Sequence, residues 1–135
     1  MSERRPGDGN TERASDGRAA TLRTHVRPLA EDGHLVTVTG DLDLHTAPRL
    51  AGTLQPLLAD DDGRTVLADL SGVTFLDSAG LTCLIAAYRT ARNTGARLAL
   101  IAPSRPVLDL LRLTGVDRVL DSYPSPEAAF GERPR

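Results

Sequence analysis

The chain has 135 residues, which is the length of a single domain and enough to bury a hydrophobic core of its own. Its formal net charge is −2 and only 3% of its residues are aromatic, so it lacks both the basic surface and the stacking side chains of a nucleic-acid-binding module. The 16 basic residues are all arginine, which excludes chemistry that needs a lysine amine, such as a Schiff base or a phosphate-binding P-loop.

The cysteine content and the first residues of the chain predict its compartment. Cys83 is the single cysteine, so no internal disulfide can form and a reducing environment is expected. Residues 1–10 contain no apolar stretch of the signal-peptide type, and no later apolar run approaches the roughly 18 residues of a membrane span. We therefore expect a cytoplasmic protein that does not enter a membrane.

Residues 1–20 differ in composition from the rest of the chain. They include no Val, Ile, Leu or Phe and are rich in Arg, Asp, Glu, Gly and Ser. Such a segment cannot bury enough apolar surface to offset the entropy lost on ordering, so we expect a disordered N-terminal tail. The single domain is then expected at residues 21–131, followed by a short C-terminal tail at 132–135.

The domain is predicted to open with two antiparallel strands. Alternation of side chains marks Leu22–Arg27 as a strand, and β-branched residues mark Leu35–Thr39. The connection through the turn expected at Glu31–Gly33 is short, which makes the two strands antiparallel neighbours. Gly40 is expected to end the second strand.

The next elements are a helix and a strand. Thr46 is a suitable N-cap for a helix over residues 46–58, and Pro56 is expected to kink that helix or end it near Gln55, because proline removes a backbone donor. Val66–Leu70 shows little alternation, which is typical of a strand covered on both faces.

Further along, the short apolar run Val73–Leu76 precedes a second helix. This helix is predicted over residues 78–92 from the helical spacing of Leu81, Leu84, Ile85 and Tyr88. Leu98–Ala102 is apolar and short, which predicts a fourth strand.

The last segment is predicted to form a longer helix, a short strand and a brief final helix. Ser104 is expected to cap a helix over residues 104–114, and Gly115 to end it. Val119–Leu120 is predicted to form a short final strand, before a brief helix at 125–130. Taken together, the elements predict a single α/β domain with a mixed sheet of four to five strands and about four helices packed against it.

The region around Ser78 is the most informative one for function. Asp77 or Ser78 is predicted as the N-cap of the second helix, and the small residues Ala79 and Gly80 leave the Ser78 hydroxyl little covered. A phosphoryl group at this place would face the exposed N–H groups and the positive end of the helix. A plain capping serine explains the same residues, so both interpretations stay open on spacing alone.

A hydrolase triad of Ser78, His45 and Asp43 is one alternative for this region. It lacks the Gly-x-Ser-x-Gly elbow, because Leu76 stands at the first glycine position. We therefore interpret His45 as a residue that points to solvent at the start of the first helix.

Two further alternatives are a phospho-aspartate receiver and a metal site. A receiver would use Asp69 or Asp77 as its acceptor, but that family requires a lysine, and this chain has none. The side chains that could bind a metal show none of the standard ligand spacings, and Cys83 is better explained as a small half-buried hydrophobe. These side chains are His25, His34, His45 and Cys83.

Three motifs follow one another along the chain. They are the segments Gly40–Ala47, Asp69–Leu81 and Pro103–Val116. In this order and spacing they resemble the anti-sigma factor antagonists, the bacterial branch of the STAS family. The resemblance covers roughly residues 22–130 and implies the STAS fold.

The resemblance also implies a phosphorylation switch. In that family the serine directly after the aspartate is phosphorylated by a partner anti-sigma kinase, which places the acceptor on Ser78. Ala79 stands where many relatives carry a second serine. The residues implied in partner binding are Asp41, Asp43, Thr46, Asp77, Ala79, Gly80 and Thr82.

The implied function is regulation without catalysis and without a cofactor. Unphosphorylated protein would bind the anti-sigma factor and release a sigma factor, and a separate serine phosphatase would reset the switch. The alternative is a STAS protein that acts as a scaffold or accessory subunit of a stress-signalling or lipid-transport complex.

Overall fold

The structure is a computed structural model that describes residues 21–29, 33–59 and 63–131. The tails predicted at 1–20 and 132–135, and residues 31 and 32 of the predicted turn, lie outside these ranges. In the part of the chain that is described, no helix combines the length and the apolar character needed to cross a membrane.

One mixed sheet of five strands forms the centre of the described fold, in the order β1-β2-β3-β4-β5. The first two strands pair antiparallel, and every later neighbour pairs parallel. The strands are β1 (Arg23–Leu29), β2 (Gly33–Leu42), β3 (Thr65–Leu76), β4 (Arg97–Ile101) and β5 (Ser122–Tyr123). The helices are α1 (Ala47–Ala59), α2 (Ser78–Thr94), α3 (Arg105–Thr114) and α4 (Pro126–Gly131), with a 3-10 turn at Val116–Arg118. The predicted α/β class and mixed sheet are confirmed.

The central strands are covered on both faces. Val36, Ala68 and Leu100 point into the larger core, which they share with α1, α2 and α3. Leu67 and its neighbours on the other face pack against the short helix α4 through Ala129. Because both faces are buried, these strands are nearly all apolar rather than alternating.

Strands β2 and β3 both run further than predicted. β2 continues through Gly40, which has a φ of +105°, to Leu42. β3 continues past Ser71 and Gly72 to Leu76, so the apolar run before α2 is part of the strand. The reason is mutual pairing, which resumes after each irregularity and extends to the Leu42–Leu76 pair.

Helix α1 continues through Pro56 to Ala59, so the early end predicted near Gln55 is wrong. Pro56 is exposed, while Leu54 and Leu58 on the opposite side are fully buried. Burial of these leucines, worth roughly 1.5–3 kcal/mol each, offsets the backbone bond that proline removes.

The predicted final strand at Val119–Leu120 is also wrong. Leu120 is buried in the larger core after the 3-10 turn, and the last strand is Ser122–Tyr123, paired with β4. Burying the leucine side chain outweighs its β-propensity at this position.

Candidate partner-binding site

Two segments meet where β2 and β3 end. The β2–α1 loop, residues 43–46, follows Leu42, and the β3–α2 junction, Asp77 and Ser78, follows Leu76. Leu42 and Leu76 are partners in the parallel register, so the two segments leave the sheet side by side. This juxtaposition unites the first two motifs of the sequence, which lie more than 30 residues apart.

The Asp77 carboxylate joins the two segments. Its Oδ1 accepts a hydrogen bond of 2.9 Å from the backbone N–H of Gly80, which makes Asp77 the N-cap of α2. Its Oδ2 accepts a bond of 3.1 Å from the backbone N–H of Leu44 in the β2–α1 loop. The backbone N–H of Asp77 in turn donates to the Leu42 carbonyl at 3.3 Å. One side chain therefore fixes both the start of the helix and the position of the loop.

Inside the β2–α1 loop, Asp43 and Thr46 hold the backbone. The Asp43 Oδ1 accepts hydrogen bonds from the backbone N–H groups of His45 and Thr46, at 2.9 and 3.0 Å. The Thr46 hydroxyl donates to the Asp41 carbonyl at 2.7 Å and accepts from the Asp43 N–H at 2.9 Å. Since Thr46 is only 5% exposed, its side chain braces the loop from inside instead of facing a partner.

Ser78 is the first residue of α2, and its side chain is exposed. No described residue makes a hydrogen bond to its hydroxyl, while its carbonyl accepts a bond of 2.9 Å from the Thr82 hydroxyl one turn later. Thr82 is also exposed. The Ser78 hydroxyl is thus free to react, and it lies at the positive end of a helix, which favours a negative group there.

Gly80 is buried, and it sets how closely α2 approaches the sheet. A Cβ atom at this position would lie 2.5 Å from the Leu42 carbonyl oxygen and 2.6 Å from a Leu76 methyl group. Only glycine fits this contact without a shift of the backbone. Ala79, the preceding residue, is half-buried. Gly80 therefore shapes the site by letting α2 pack close to the sheet, although the family resemblance implied a role in partner binding.

The surface around Ser78 is acidic. Asp41, Asp43 and Asp77 all lie in or beside the two segments, and within the described ranges none of them has an ion-pair partner. The Asp41 Oδ1 instead accepts a bond of 2.7 Å from the Thr74 hydroxyl on the neighbouring strand. A further negative group added at Ser78 would meet a surface that is already negative.

Two large apolar side chains at this edge were missed by the sequence analysis. Leu44 in the β2–α1 loop is 68% exposed, and Phe75 near the end of β3 is 49% exposed. Strand alternation is the signal that could have found Phe75, since its neighbour Leu76 is buried. Exposed apolar side chains of this size are typical of a surface that another protein covers.

The geometry gives no support to the hydrolase alternative. The Asp43 carboxylate accepts hydrogen bonds from loop N–H groups, and His45, which is exposed, makes no side-chain hydrogen bond to any described residue.

The metal-site alternative included Cys83. Cys83 is buried, its thiol donates to the Ala47 carbonyl at 3.6 Å, and desolvation raises the pKa of the thiol to about 11. Among the described residues, no group of three His, Cys, Asp or Glu side chains is placed to hold a metal ion.

Comparison with known proteins places the chain in a family. The profile of the family described as "Mlab, STAS domain" matches residues 25–121. The chain is 27% identical over 86 residues to the anti-sigma-B factor antagonist of Listeria monocytogenes, covering 64% of this chain and 75% of that protein. It is 28% identical over 86 residues to the anti-sigma-B factor antagonist of Bacillus subtilis, covering 64% of this chain and 77% of that protein.

A solved structure is also similar over most of the chain. It is the crystal structure of an anti-sigma factor antagonist from Mycobacterium paratuberculosis, which is 26% identical and superimposes with a TM-score of 0.72. The likeness covers 84% of this chain and 95% of that one. The profile match at residues 25–121 includes both segments that form the site.

Proposed function

Because the chain belongs to the STAS domain family, we propose that it is an anti-sigma factor antagonist whose binding is switched off by phosphorylation of Ser78. The observation that carries this proposal is the state of the Ser78 hydroxyl, which is exposed and has no hydrogen bond to any described residue. Around it, the Asp77 carboxylate holds the β2–α1 loop in place. A reactive hydroxyl on a pre-formed surface suits a regulatory acceptor.

In the proposed cycle the unphosphorylated protein binds the anti-sigma factor and frees a sigma factor. The anti-sigma factor is itself the kinase and supplies ATP. The Ser78 oxygen attacks the γ-phosphorus, the new O–P bond forms as ADP leaves, and the hydroxyl proton passes to a base of the kinase. A separate serine phosphatase hydrolyses the phosphate ester and restores the hydroxyl. The protein is substrate and ligand in this cycle, with no catalytic step of its own.

Phosphorylation is expected to weaken binding through charge. The phosphoryl group adds about −1.5 to −2 charges at pH 7, next to the Asp77 carboxylate and near Asp43. In the complex these negative groups must lose water against a surface shaped for a hydroxyl, and unpaired or like charges at an interface typically cost several kcal/mol. A cost of about 3 kcal/mol corresponds to roughly a hundredfold weaker binding.

The same modification is expected to leave the domain folded. The phosphoryl group lies at the positive end of α2, where a negative charge is favourable by about 0.3–1 kcal/mol. Asp77 opposes part of this gain, since its carboxylate already caps the helix. The switch therefore acts on the complex and not on folding.

Leu44 and Phe75 are proposed as the apolar contacts of the partner surface. Both are large and exposed. Leu44 lies in the loop that the Asp77 carboxylate holds, and Phe75 is two residues before Asp77 in β3. Thr82 extends the polar part of the surface along α2. Apolar anchors with a polar surround are the usual arrangement in protein interfaces.

Capture of partners from cell lysate tests the proposal. Four bait proteins are compared: the unmodified chain, Ser78→Ala, Ser78→Asp, and Ser122→Asp as a control with the same charge on an exposed serine of β5. We expect the unmodified chain, Ser78→Ala and Ser122→Asp to recover a small ATP-binding kinase, and Ser78→Asp to lose it. Phosphate mapped to Ser78 by mass spectrometry completes the test. Recovery of membrane transporter subunits by all four baits would favour the accessory-subunit alternative instead.

A further inference from the structure

An open cavity of about 410 Å³ lies between α2 and the segment that follows α3. It is distinct from the Ser78 edge and no motif of the sequence pointed to it. Its walls are mostly apolar, and they come from the third turn of α2 and from the 3-10 turn with the residues after it. The residues that matter here are Ile85, Tyr88, Arg89, Val116, Val119 and Leu120.

One large apolar side chain remains exposed at this cavity. Val119 lines it and is 50% exposed. Such exposure is unusual for valine, since the side chain would be stabilised by leaving water. An apolar segment of another molecule would cover it.

Arginines lie in the segments that form the cavity. Arg89 lines it, and the Arg92 guanidinium lies over the Tyr88 ring at 5.9 Å from its centroid, with Nη1 donating to the Tyr88 hydroxyl at 3.0 Å. Arg112 and Arg118 are exposed in the last turn of α3 and in the 3-10 turn. No described carboxylate forms an ion pair with any of these four arginines. Asp109, three residues before Arg112, pairs with Arg105 at 3.9 Å. The other acidic residues nearby in sequence, Asp117 and Asp121, are exposed and too few to balance the four arginines.

The cavity shares a helix with the proposed switch. Residues 78, 82, 85, 89 and 92 follow one another at helical spacing and lie along one side of α2. Arg89 is eleven residues after Ser78, which corresponds to about 16 Å along the helix axis. The two ends of this side differ in charge, being acidic at the Ser78 end and basic at the cavity.

We propose that this cavity is a docking site for an acidic amphipathic helix of a partner protein. The apolar side chains of that segment fill the cavity, and its carboxylates pair with Arg89, Arg92 and Arg118. Continuity with Ser78 along α2 favours a protein occupant, because one partner can span both ends. The inference rests on the proposed function in one respect: it takes the docking helix to belong to the partner that binds around Ser78.

A defined peptide tests the site without the natural partner. The probe is a synthetic 14-residue helix-forming peptide with leucine on one face and glutamate on the other, and the matched peptide carries lysine in place of glutamate. Binding is followed by amide shifts in NMR spectra and by titration calorimetry. We expect the acidic peptide to shift the amides of Ile85, Arg89, Val116 and Leu120, and to bind at least about tenfold more tightly than the lysine peptide.

Charge reversal locates the site on the chain. The double variant Arg89→Glu, Arg118→Glu is expected to bind the acidic peptide about tenfold more weakly or worse. The control, Arg27→Glu with Arg49→Glu, makes the same charge change at exposed positions of β1 and α1 and should leave binding unchanged. Equal binding of both peptides, or no shift at the cavity, would overturn the proposal. Shifts at the cavity with phosphatidylglycerol vesicles but not with the acidic peptide would assign it to a membrane and overturn it as well.

The Ser78 variants separate this inference from the proposed function. Ser78→Asp should leave peptide binding at the cavity unchanged, because the two sites lie about 16 Å apart along α2. If peptide binding is found but the Ser78 variants capture the same partners, only the phosphorylation switch fails. If the switch is found but the peptide does not bind the cavity, only the docking site fails.

Discussion

Helices α2 and α3 both carry a serine at their N-terminus, and the two serines are held in different ways. Ser78 follows the capping residue Asp77, so its own hydroxyl is not needed for the cap and is exposed. Ser104 is itself the residue before α3, but its hydroxyl does not cap the helix. It donates a bond of 2.6 Å to the Val73 carbonyl and is half-buried.

The difference shows that a helix N-terminus alone does not make a serine available for modification. Both hydroxyls lie near positive helix ends, where a phosphoryl group would be favourable. Of these two helices, only α2 has another side chain that caps it, since Asp77 accepts from the Gly80 N–H, and the Ser78 hydroxyl makes no hydrogen bond to a described residue. We infer that the aspartate before the serine is what makes Ser78 available.

The largest effect on stability is expected at Gly80, the third residue of α2. The third residue of α3 is Val107, whereas Gly80 has no room for a Cβ. Gly80→Ala should therefore lower the free energy of unfolding by about 2–3 kcal/mol through overpacking against Leu42 and Leu76. Gly52→Ala is the control, since Gly52 is exposed in α1 with nothing near its Cβ position. It should stabilise the protein by roughly 0.5–1 kcal/mol in urea unfolding. A similar gain for Gly80→Ala would show that α2 does not pack this closely.

The next largest effect on stability is expected at Asp77. Asp77→Ala removes both the helix cap and the bond to the Leu44 N–H, and should cost about 1–2 kcal/mol in unfolding free energy. Asp77→Asn retains one oxygen for the Gly80 N–H but turns an amide donor toward Leu44, so it should cost less. Hydrogen exchange at the Leu44 amide should accelerate in both variants. Unchanged exchange in Asp77→Asn would mean that the carboxylate does not hold the β2–α1 loop.

A smaller effect distinguishes the serines themselves. Ser104→Ala leaves the Val73 carbonyl without its partner and should cost about 1 kcal/mol. Ser78→Ala removes no hydrogen bond to a described residue and should stay within about 0.5 kcal/mol of the unmodified chain. The free energies of unfolding of both variants are measured in the same denaturant series. Equal losses would remove the basis for treating the two hydroxyls as different.

The smallest effect on stability near neutral pH concerns the Cys83 thiol in α2. Burial raises the pKa of this thiol from 9.0 to about 11, so the folded chain favours the neutral thiol. Its contribution to stability is fully present below pH 9 and is lost as the pH rises toward 11. At pH 8 the folded protein should react with iodoacetamide far more slowly than the unfolded chain. Equal rates would show that Cys83 is accessible.

Much of this arrangement could be predicted from local sequence. Helix α2 and the position of Ser78 follow from apolar spacing and from the small residues after Asp77, and Gly115 ends α3 in the left-handed conformation as expected. The mixed sheet follows from the order of strands and helices. These features depend on neighbours within one or two turns of the chain.

The rest depends on contacts between distant segments. The bond from Leu44 to Asp77 joins residues 33 positions apart, and the hydroxyl of Ser104 reaches Val73 at 31 positions. Strand β3 extends to Leu76 because β2 pairs with it, which no local pattern encodes. The cavity beside α2 likewise forms between residues 85–89 and residues 114–120, which are distant in the sequence.

Binding of the anti-sigma factor to phosphorylated and unphosphorylated protein tests the central claim most directly. The captured partner is titrated by calorimetry with the unmodified chain and with the same chain carrying phosphate on Ser78. Both forms should melt at nearly the same temperature, while the phosphorylated form should bind roughly a hundredfold more weakly, equivalent to about 3 kcal/mol. Equal affinities of the two forms would contradict the account.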